Sequence, residues 1–282
     1  MLTFPGITPV DFLIIGHITQ DITSQGLQPG GPAAYSGLTA RAFGKRVGVV
    51  TAWAEETGKE KFTDLQIANL SCEASTTFEN IYTSEGRLQK LHHLAPQLAF
   101  YHIPESWRSC PVIQFAPVAG EVPPDLYHYF RDADIYLTPQ GWMREWDQEG
   151  NISPRTWLED SYLMPQAKAV VISEEDVGFN LETIYRMASL TPILAVTKGQ
   201  AGADIYNEGQ IISISAPETE VIDPTGAGDI FAAVFFTQLS HTRDPHHSAE
   251  LAVQIASDSI TRPGLSGVPN DETLYDMLRK VQ

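Results

Sequence analysis

Cysteine, basic residues and long apolar runs are all scarce in this sequence. Cys72 and Cys110 are the only cysteines among 282 residues, and neither belongs to a CxxC pair or a metal-type His/Cys spacing. We therefore expect two buried, reduced thiols and no zinc or iron site. Residues 1–8 carry no Lys or Arg ahead of an apolar run, which argues against a signal peptide. No run of 18 uncharged apolar residues exists, so we expect no membrane span.

Positive charge is the second scarcity. The chain has 18 Lys and Arg against 35 Asp and Glu, which gives a formal net charge of −17 and a pI of about 4.7. Such a surface repels a phosphate backbone, so nucleic acid is a poor candidate partner. We expect a cytoplasmic protein that binds neither nucleic acid nor membrane.

What the sequence does contain is a regular alternation of short β-branched runs with amphipathic stretches. The runs predict buried strands at Phe12–Ile15, Val47–Thr51, Val112–Phe115, Ile135–Thr138, Ala169–Ile172 and Ile193–Thr197. N-cap residues predict helix starts at Ser153, Asn180 and Asn270. Strands alternating with helices predict an α/β fold, a doubly wound and mostly parallel sheet with helices on both faces.

One region breaks this alternation. From Thr76 to Leu94 apolar and polar residues alternate around Ser84–Gly86, which predicts a β-hairpin. One face is too polar for the interior of a parallel sheet, so we expect a small β-flap, or lid, standing off the main sheet. No linker or repeat divides the chain. The prediction is a single domain, residues 1–282, with lid elements near residues 18–28 and 72–102.

The most informative stretch is a glycine-rich turn before an apolar helix. We call Gly226-Ala227-Gly228-Asp229 the anion turn. A helix that starts on such small residues presents unpaired N–H groups at the positive end of its dipole, where phosphate oxygens can approach as in an anion hole. Asp229 would repel that anion, but its placement suits a base that takes a proton from an attacking hydroxyl.

The segment Asp223–Phe231 resembles the second signature of the ribokinase-like (PfkB) carbohydrate kinases, which usually reads D-T-x-G-A-G-D-x-F; Pro224 departs from it. The resemblance extends over nearly the whole chain. It implies ATP-dependent phosphoryl transfer, with Asp229 as the catalytic base and Gly226, Ala227 and Gly228 as the anion hole.

The resemblance also implies an acceptor side near the N-terminus. Gly16–Asp21 is similar to the family's G-x-x-x-x-D, whose aspartate binds substrate hydroxyls, and Gly30-Gly31 is similar to its G-G-x-x-x-N substrate floor. Tyr35 replaces the family's asparagine, which argues against ribose and predicts a flatter, more apolar pocket. Arg144 follows a predicted strand and is a candidate contact for substrate or phosphate.

The donor side is implied further along the chain. Thr197, Gly199 and Gly202 fit the family's T-x-G-x-x-G, which receives nucleotide phosphates. Ser173 and Asp176 have the spacing of its N-x-x-E, which organises water-bound Mg²⁺, although both residue types differ.

The metal and cation assignments rest on the same resemblance. Asp176 and Glu175 are the candidate metal residues, acting through water, and Glu174 is a third acid in the same turn. Ser259–Gly264, with residues near Asp223 and Thr225, resembles the family's site for a monovalent cation such as K⁺.

The sequence thus predicts an ATP- and Mg²⁺-dependent kinase for a sugar or polyol, inositol-like rings included. The second interpretation is a nucleoside kinase, because Tyr35, Phe78 and Tyr82 could stack on a base. A third is a non-catalytic sugar- or nucleotide-sensing protein on the same fold, which the altered Ser173–Asp176 segment favours mildly. A homodimer formed through the lid is a further expectation.

Overall fold

The computed structural model describes residues 7–55, 57–83, 86–270, 272–274 and 277. The α-helices of eight or more residues in this part are α1 Gly31–Ala42, α2 Leu181–Leu190, α3 Ala227–Thr242 and α4 Pro245–Ser259. The strands are β1 Phe12–Ile15, β2 Thr19–Thr23, β3 Gly26–Gly30, β4 Val47–Ala52, β5 Gln66–Leu70, β6 Thr77–Thr83, β7 Gly86–His93, β8 Val112–Phe115, β9 Asp134–Leu137, β10 Arg144–Trp146, β11 Ile152–Pro154, β12 Ala169–Ser173, β13 Ile193–Thr197, β14 Ala203–Asn207 and β15 Gln210–Ile214. None of the described helices is long and apolar enough to cross a bilayer.

The main sheet has the strand order β15-β14-β13-β12-β9-β8-β1-β4-β5. From β13 to β5 neighbouring strands run parallel, and the β14–β15 hairpin adds an antiparallel edge. The predicted strands occupy their predicted places, because uninterrupted apolar runs are typical of strands buried on both faces. The predicted α/β class is confirmed.

Successive residues of the central strands supply two separate hydrophobic cores. Phe12 and Ile14 of β1 join the core beneath α1, α3 and α4. Leu13 and Ile15 point to the opposite face, which α2 and several short 3-10 turns cover. Helix α3 is buried along most of its length, so the anion turn at its start is held by the interior of the protein.

The lid is a second sheet of four strands in the order β3-β2-β6-β7. Phe78 and Leu91 on its inner face pack against Val118 and Ala119 of the loop after β8. The outer face carries exposed aliphatic side chains: Ile22, Leu27, Ile81 and Leu88. The predicted hairpin is therefore present as β6 and β7, and residues 84 and 85 of its turn lie outside the described residues.

Two of the three predicted helix starts are confirmed. Asn180 Oδ1 accepts from Thr183 N at 3.0 Å, and Asn270 Oδ1 accepts from Thr273 N at 2.8 Å. The prediction at Ser153 is wrong, because Ser153 lies in β11, which pairs antiparallel with β10. Pro154 terminates this two-stranded ribbon, where a missing N–H costs little, as on other edge strands.

The two cysteines differ in exposure, which predicts different reactivity. Cys110 is buried, and burial raises the pKa of its thiol to about 11, whereas Cys72 is half-buried. Since the thiolate is the reacting species, native protein should be alkylated at Cys72 first and at Cys110 only on unfolding. Peptide mass spectrometry after timed alkylation checks this. Cys72→Ser should remove the fast phase, and equal rates at both thiols would contradict the prediction.

Candidate active site

The anion turn begins α3 with a left-handed residue. Gly226 has φ of +79° and is the N-cap of α3. Ala227 N donates to Pro224 O at 3.2 Å, and the first helical hydrogen bond runs from Ile230 N to Gly226 O at 2.9 Å. An added Cβ at Gly228 would meet no atom within 4 Å. The Cα of Gly228 therefore borders open space at the positive end of the helix, while the Ala227 amide is used inside the turn.

The ring of Tyr35 closes the other side of this turn. An added Cβ at Gly226 would overlap Cδ1, Cε1 and Cζ of Tyr35. Position 226 therefore needs glycine for two reasons, the left-handed backbone and the ring packed against it. The contact joins α1, which starts on the predicted acceptor floor, to the start of α3.

A buried hydrogen-bond chain lies beneath Asp229. Ser36 Oγ donates to the Asp229 carbonyl oxygen at 3.1 Å and accepts from Gln114 Nε2 at 3.2 Å. Gln114 Nε2 also lies 3.3 Å from Thr138 Oγ1. Sequence analysis missed Ser36 and Gln114; a glutamine inside the apolar run of β8 was the available signal.

Asp21 and the two floor glycines lie together at the base of the lid. An added Cβ at Gly30 would overlap Asp21 Oδ2, so the carboxylate lies directly over the Gly30 backbone. Gly31 has φ of +83° and starts α1. The glycines thus allow the Asp21 carboxylate and the first turn of α1 to approach closely.

Tyr35 connects the acceptor side to the anion turn electrostatically as well. It is 2% exposed, and its phenol pKa is raised, first by burial and then by the negative charges of Asp21, Asp223 and Asp229. The phenol therefore stays protonated among these acids. Its ring is covered by Gly226 and is not free to stack on a base. Phe78 is also buried, and the side chain of Tyr82 lies outside the described residues.

Arg144 lies in the β10–β11 ribbon beside the lid. Its Nη2 donates to Gln140 Oε1 at 3.0 Å. The ribbon reaches the lid at its turn, where Leu91 N donates to Gly150 O at 2.8 Å. The structure thus places Arg144 next to the lid, without placing it against the anion turn.

The predicted donor-side residues meet at the carboxyl ends of two neighbouring strands. Ser173 and Thr197 are register partners at the ends of β12 and β13. Lys198 N donates to Gly202 O at 2.8 Å, closing a turn in which Gly199 and Gly202 both have positive φ. In open α/β sheets, ligands generally bind at the edge formed by the carboxyl ends of the strands. Helix α3 packs against β12 beside this edge.

The candidate metal residues form a helix cap. Ser173 Oγ accepts from Glu175 N at 3.2 Å, and Asp176 Oδ2 accepts from Ser173 N at 2.9 Å. This reciprocal capping box starts a short 3-10 turn that contains Glu174. Among the described residues no cluster of three or more His, Cys, Asp or Glu is suited to hold a metal directly. Binding through water and donor phosphates is the arrangement these acids fit.

Asp223 joins the anion turn to the loop after α4. Its Oδ1 accepts from Thr225 N at 2.9 Å and its Oδ2 from Gly264 N at 2.8 Å. These hydrogen bonds already connect the two segments that a monovalent cation would join.

An open cavity in the described part of the chain lies elsewhere. Its volume is about 640 Å³, and it is bounded by the end of α1, residues 61–64 and residues 265–272. None of the predicted site residues lines it. The predicted site residues lie instead at the strand edges and the anion turn.

Comparison with known proteins identifies similar sequences and similar folds. Residues 159–272 match the model of the pfkB family carbohydrate kinases. A cytidine kinase of Thermococcus kodakarensis is 21% identical over 275 residues, which cover 90% of this chain and 98% of that protein. A pyrophosphate-dependent kinase in the ribokinase family, complexed with a pyrophosphate analog and myo-inositol, has a TM-score of 0.78 at 20% identity, over 94% of this chain and 99% of that chain. Arabidopsis thaliana ribokinase, complexed with ribose and ATP, has a TM-score of 0.69 at 13% identity, over 96% and 99%.

The fold is therefore that of the ribokinase family. The pfkB match confirms, over residues 159–272, the resemblance predicted from the motifs. The matched segment contains the donor-side strands and the anion turn, whereas the lid and Asp21 lie outside it.

The two glycines of the anion turn should respond oppositely to alanine. We expect Gly226→Ala to lower the free energy of unfolding by roughly 2–5 kcal/mol, from left-handed strain and overlap with Tyr35. Gly228→Ala should leave stability unchanged or raise it by up to about 1 kcal/mol, because the methyl group enters open space in a helical first turn. Guanidinium unfolding of both variants measures this, and equal losses would contradict the described turn.

Proposed function

We propose that this protein transfers the γ-phosphoryl group of ATP to a hydroxyl of a sugar or polyol, inositol-like rings included. Asp229 is the general base, the anion turn binds the transferred group, and Asp21 binds the acceptor. A cytoplasmic location fits this role.

The observation that carries the proposal is the contact between α1 and α3. Tyr35 packs on Gly226, and Ser36 hydrogen-bonds the Asp229 carbonyl. The floor glycines immediately precede this part of α1, so the acceptor side and the base meet at one place. An acid beside an anion-binding helix start has a chemical use when a hydroxyl must lose a proton next to a phosphate.

The proposed step follows from these positions. Asp229 takes the proton of the acceptor hydroxyl as its oxygen forms a bond to the γ-phosphorus, and the bond from that phosphorus to the ADP oxygen breaks. The Gly228 amide and the α3 dipole stabilise negative charge on the transferred group. Thr197, Gly199, Gly202 and Ser173 are proposed to bind the donor. Closure of the lid over Asp21 would exclude water and suppress hydrolysis of the donor.

Mg²⁺ is proposed as the metal that neutralises donor phosphate charge when bound. Asp176 and Glu175 are the residues proposed to order its water ligands. Asp176 uses Oδ2 in the capping box, so its contribution would come through the other carboxylate oxygen.

A polyol is favoured over a nucleoside as acceptor. Tyr35 and Phe78, two of the three rings that could stack on a base, are buried against protein atoms. Asp21 offers a carboxylate to hydroxyl groups, which suits a ring with several of them. The likeness to a cytidine kinase over 98% of that protein's length keeps nucleosides as the second candidate.

A two-way screen tests donor and acceptor together. Purified protein with Mg²⁺ is supplied with ATP or with pyrophosphate, the donor of one structural neighbour. Polyols, sugars and nucleosides are then compared by ³¹P NMR for phosphoester formation. We expect a polyol phosphate from ATP; product from pyrophosphate alone would replace the donor. Saturable binding without any product would favour the sensing protein instead.

A homodimer through the lid is proposed as the assembly. Its support is the outer lid face, on which Ile22 and Leu27 are register partners, as are Ile81 and Leu88. All four side chains are exposed, and a second copy would remove them from water.

Replacing the base should abolish most turnover. We expect Asp229→Asn to lower kcat by roughly 10²–10⁴, the usual effect of losing a positioned general base, with donor binding retained. Steady-state kinetics and donor titration measure the two quantities. The control is Asp244→Asn at the N-cap of α4, where asparagine caps equally well. A kcat for Asp229→Asn within threefold of wild type would refute the base assignment.

Replacing Asp21 should affect the acceptor alone. Asp21→Ala would remove hydrogen bonds between a charged carboxylate and the acceptor. Because such bonds contribute to the binding free energy, we expect the acceptor KM to rise roughly 10- to 100-fold. The donor KM should stay nearly constant, since the donor-side strands lie apart from the lid. Glu79→Ala, on the outer lid face, is the matched control. Parallel increases in both KM values would mean that Asp21 is structural.

A further inference from the structure

His17 is a fully buried side chain at the base of the lid, and the proposed chemistry does not use it. It follows the last residues of β1 and precedes Asp21 by four positions. Its Nδ1 lies 2.7 Å from Thr76 Oγ1, and its Nε2 lies 3.1 Å from Pro96 O. Thr76 directly precedes β6, and Pro96 follows β7. One imidazole therefore joins three of the chain segments that connect the lid to the main sheet.

The fourth segment that connects the lid to the main sheet also lies next to His17. Between β3 and α1, an added Cβ at Gly31 would lie 3.0 Å from the His17 carbonyl oxygen. The backbone of His17 is also held by a hydrogen bond, because His17 N donates to Glu121 Oε1 at 3.2 Å. Glu121 in turn accepts from Val118 N and Ala119 N in the loop that packs on the lid's inner face.

The hydrogen bonds define one tautomer. A carbonyl oxygen only accepts, so the bond to Pro96 O requires a proton on Nε2. In the neutral ring Nδ1 then accepts from the Thr76 hydroxyl, whose oxygen accepts from Ala95 N at 3.0 Å. Burial lowers the pKa of His17, against the opposing charge of Glu121, so the neutral ring is favoured at neutral pH.

We propose that His17 positions the lid on the main sheet and thereby sets the acceptor affinity through Asp21. This role rests on the proposed function for its kinetic consequence and on geometry alone for its effect on the lid. The residue touches neither substrate nor reacting atoms, so it is a positioning residue.

Steady-state kinetics and hydrogen exchange of the lid amides test the proposal together. Loss of two hydrogen bonds at the base of the lid should raise the acceptor KM about tenfold in His17→Ala, with the donor KM changed less than about twofold. His17→Gln keeps a donor for Pro96 O, so its acceptor KM should lie between the values for wild type and His17→Ala. Thr76→Val removes the other partner while preserving shape, and should reproduce the effect if His17→Ala does not fold.

A histidine elsewhere in the lid provides the control. His92 pairs with Glu79 on the outer face and is exposed, so His92→Ala should leave both KM values unchanged. Hydrogen exchange of amides in β2, β6 and β7 should be faster in His17→Ala and Thr76→Val but not in His92→Ala. ¹⁵N NMR of wild-type protein should show the Nε2–H tautomer at position 17.

The outcomes separate the two proposals. Faster lid exchange with no product from any acceptor would support the role of His17 and overturn the proposed function. Unchanged exchange, an Nδ1–H tautomer, or equal changes in donor and acceptor KM would each overturn the role of His17 even in an active kinase.

Discussion

The contact between the Tyr35 ring and Gly226 is the constraint on which the site depends. The ring packs against the left-handed start of α3, and with the Ser36 hydrogen bond it holds Asp229 next to α1, which follows Gly30. Helices α1 and α3 belong to the same hydrophobic core, so the residues at this contact are held by a close-packed interior. The anion turn is therefore pre-organised by packing, and the helix dipole acts from a fixed position.

Local patterns predicted the elements but not the contacts between them. The strand positions followed from apolar runs, and the Asn180 and Asn270 caps followed from side-chain chemistry. The Ser36–Asp229 hydrogen bond joins residues 193 apart, and no local signal encodes that pairing. His17 illustrates the same limit, because its function depends on Thr76, 59 residues away.

Two sequence signals had more than one structural solution. Serine followed by proline suits a helix start, but at Ser153 the pairing of β11 with β10 decided the structure. The spacing of Ser173 and Asp176 fits both a metal-organising segment and a capping box, and the described hydrogen bonds form the box. In both cases the local pattern is compatible with two structures, and tertiary context selects one of them.

The lid's inner cluster of Phe78, Leu91, Val118 and Ala119 is separate from both main cores. Mutations there disturb a small, self-contained set of contacts, so the folding free energy of the main sheet is largely insulated from them. Under the proposed function, the lid would therefore tolerate substitution on its inner face while the anion turn keeps its place in the main core. The partition of hydrophobic clusters in this sense makes the two parts of the molecule modular.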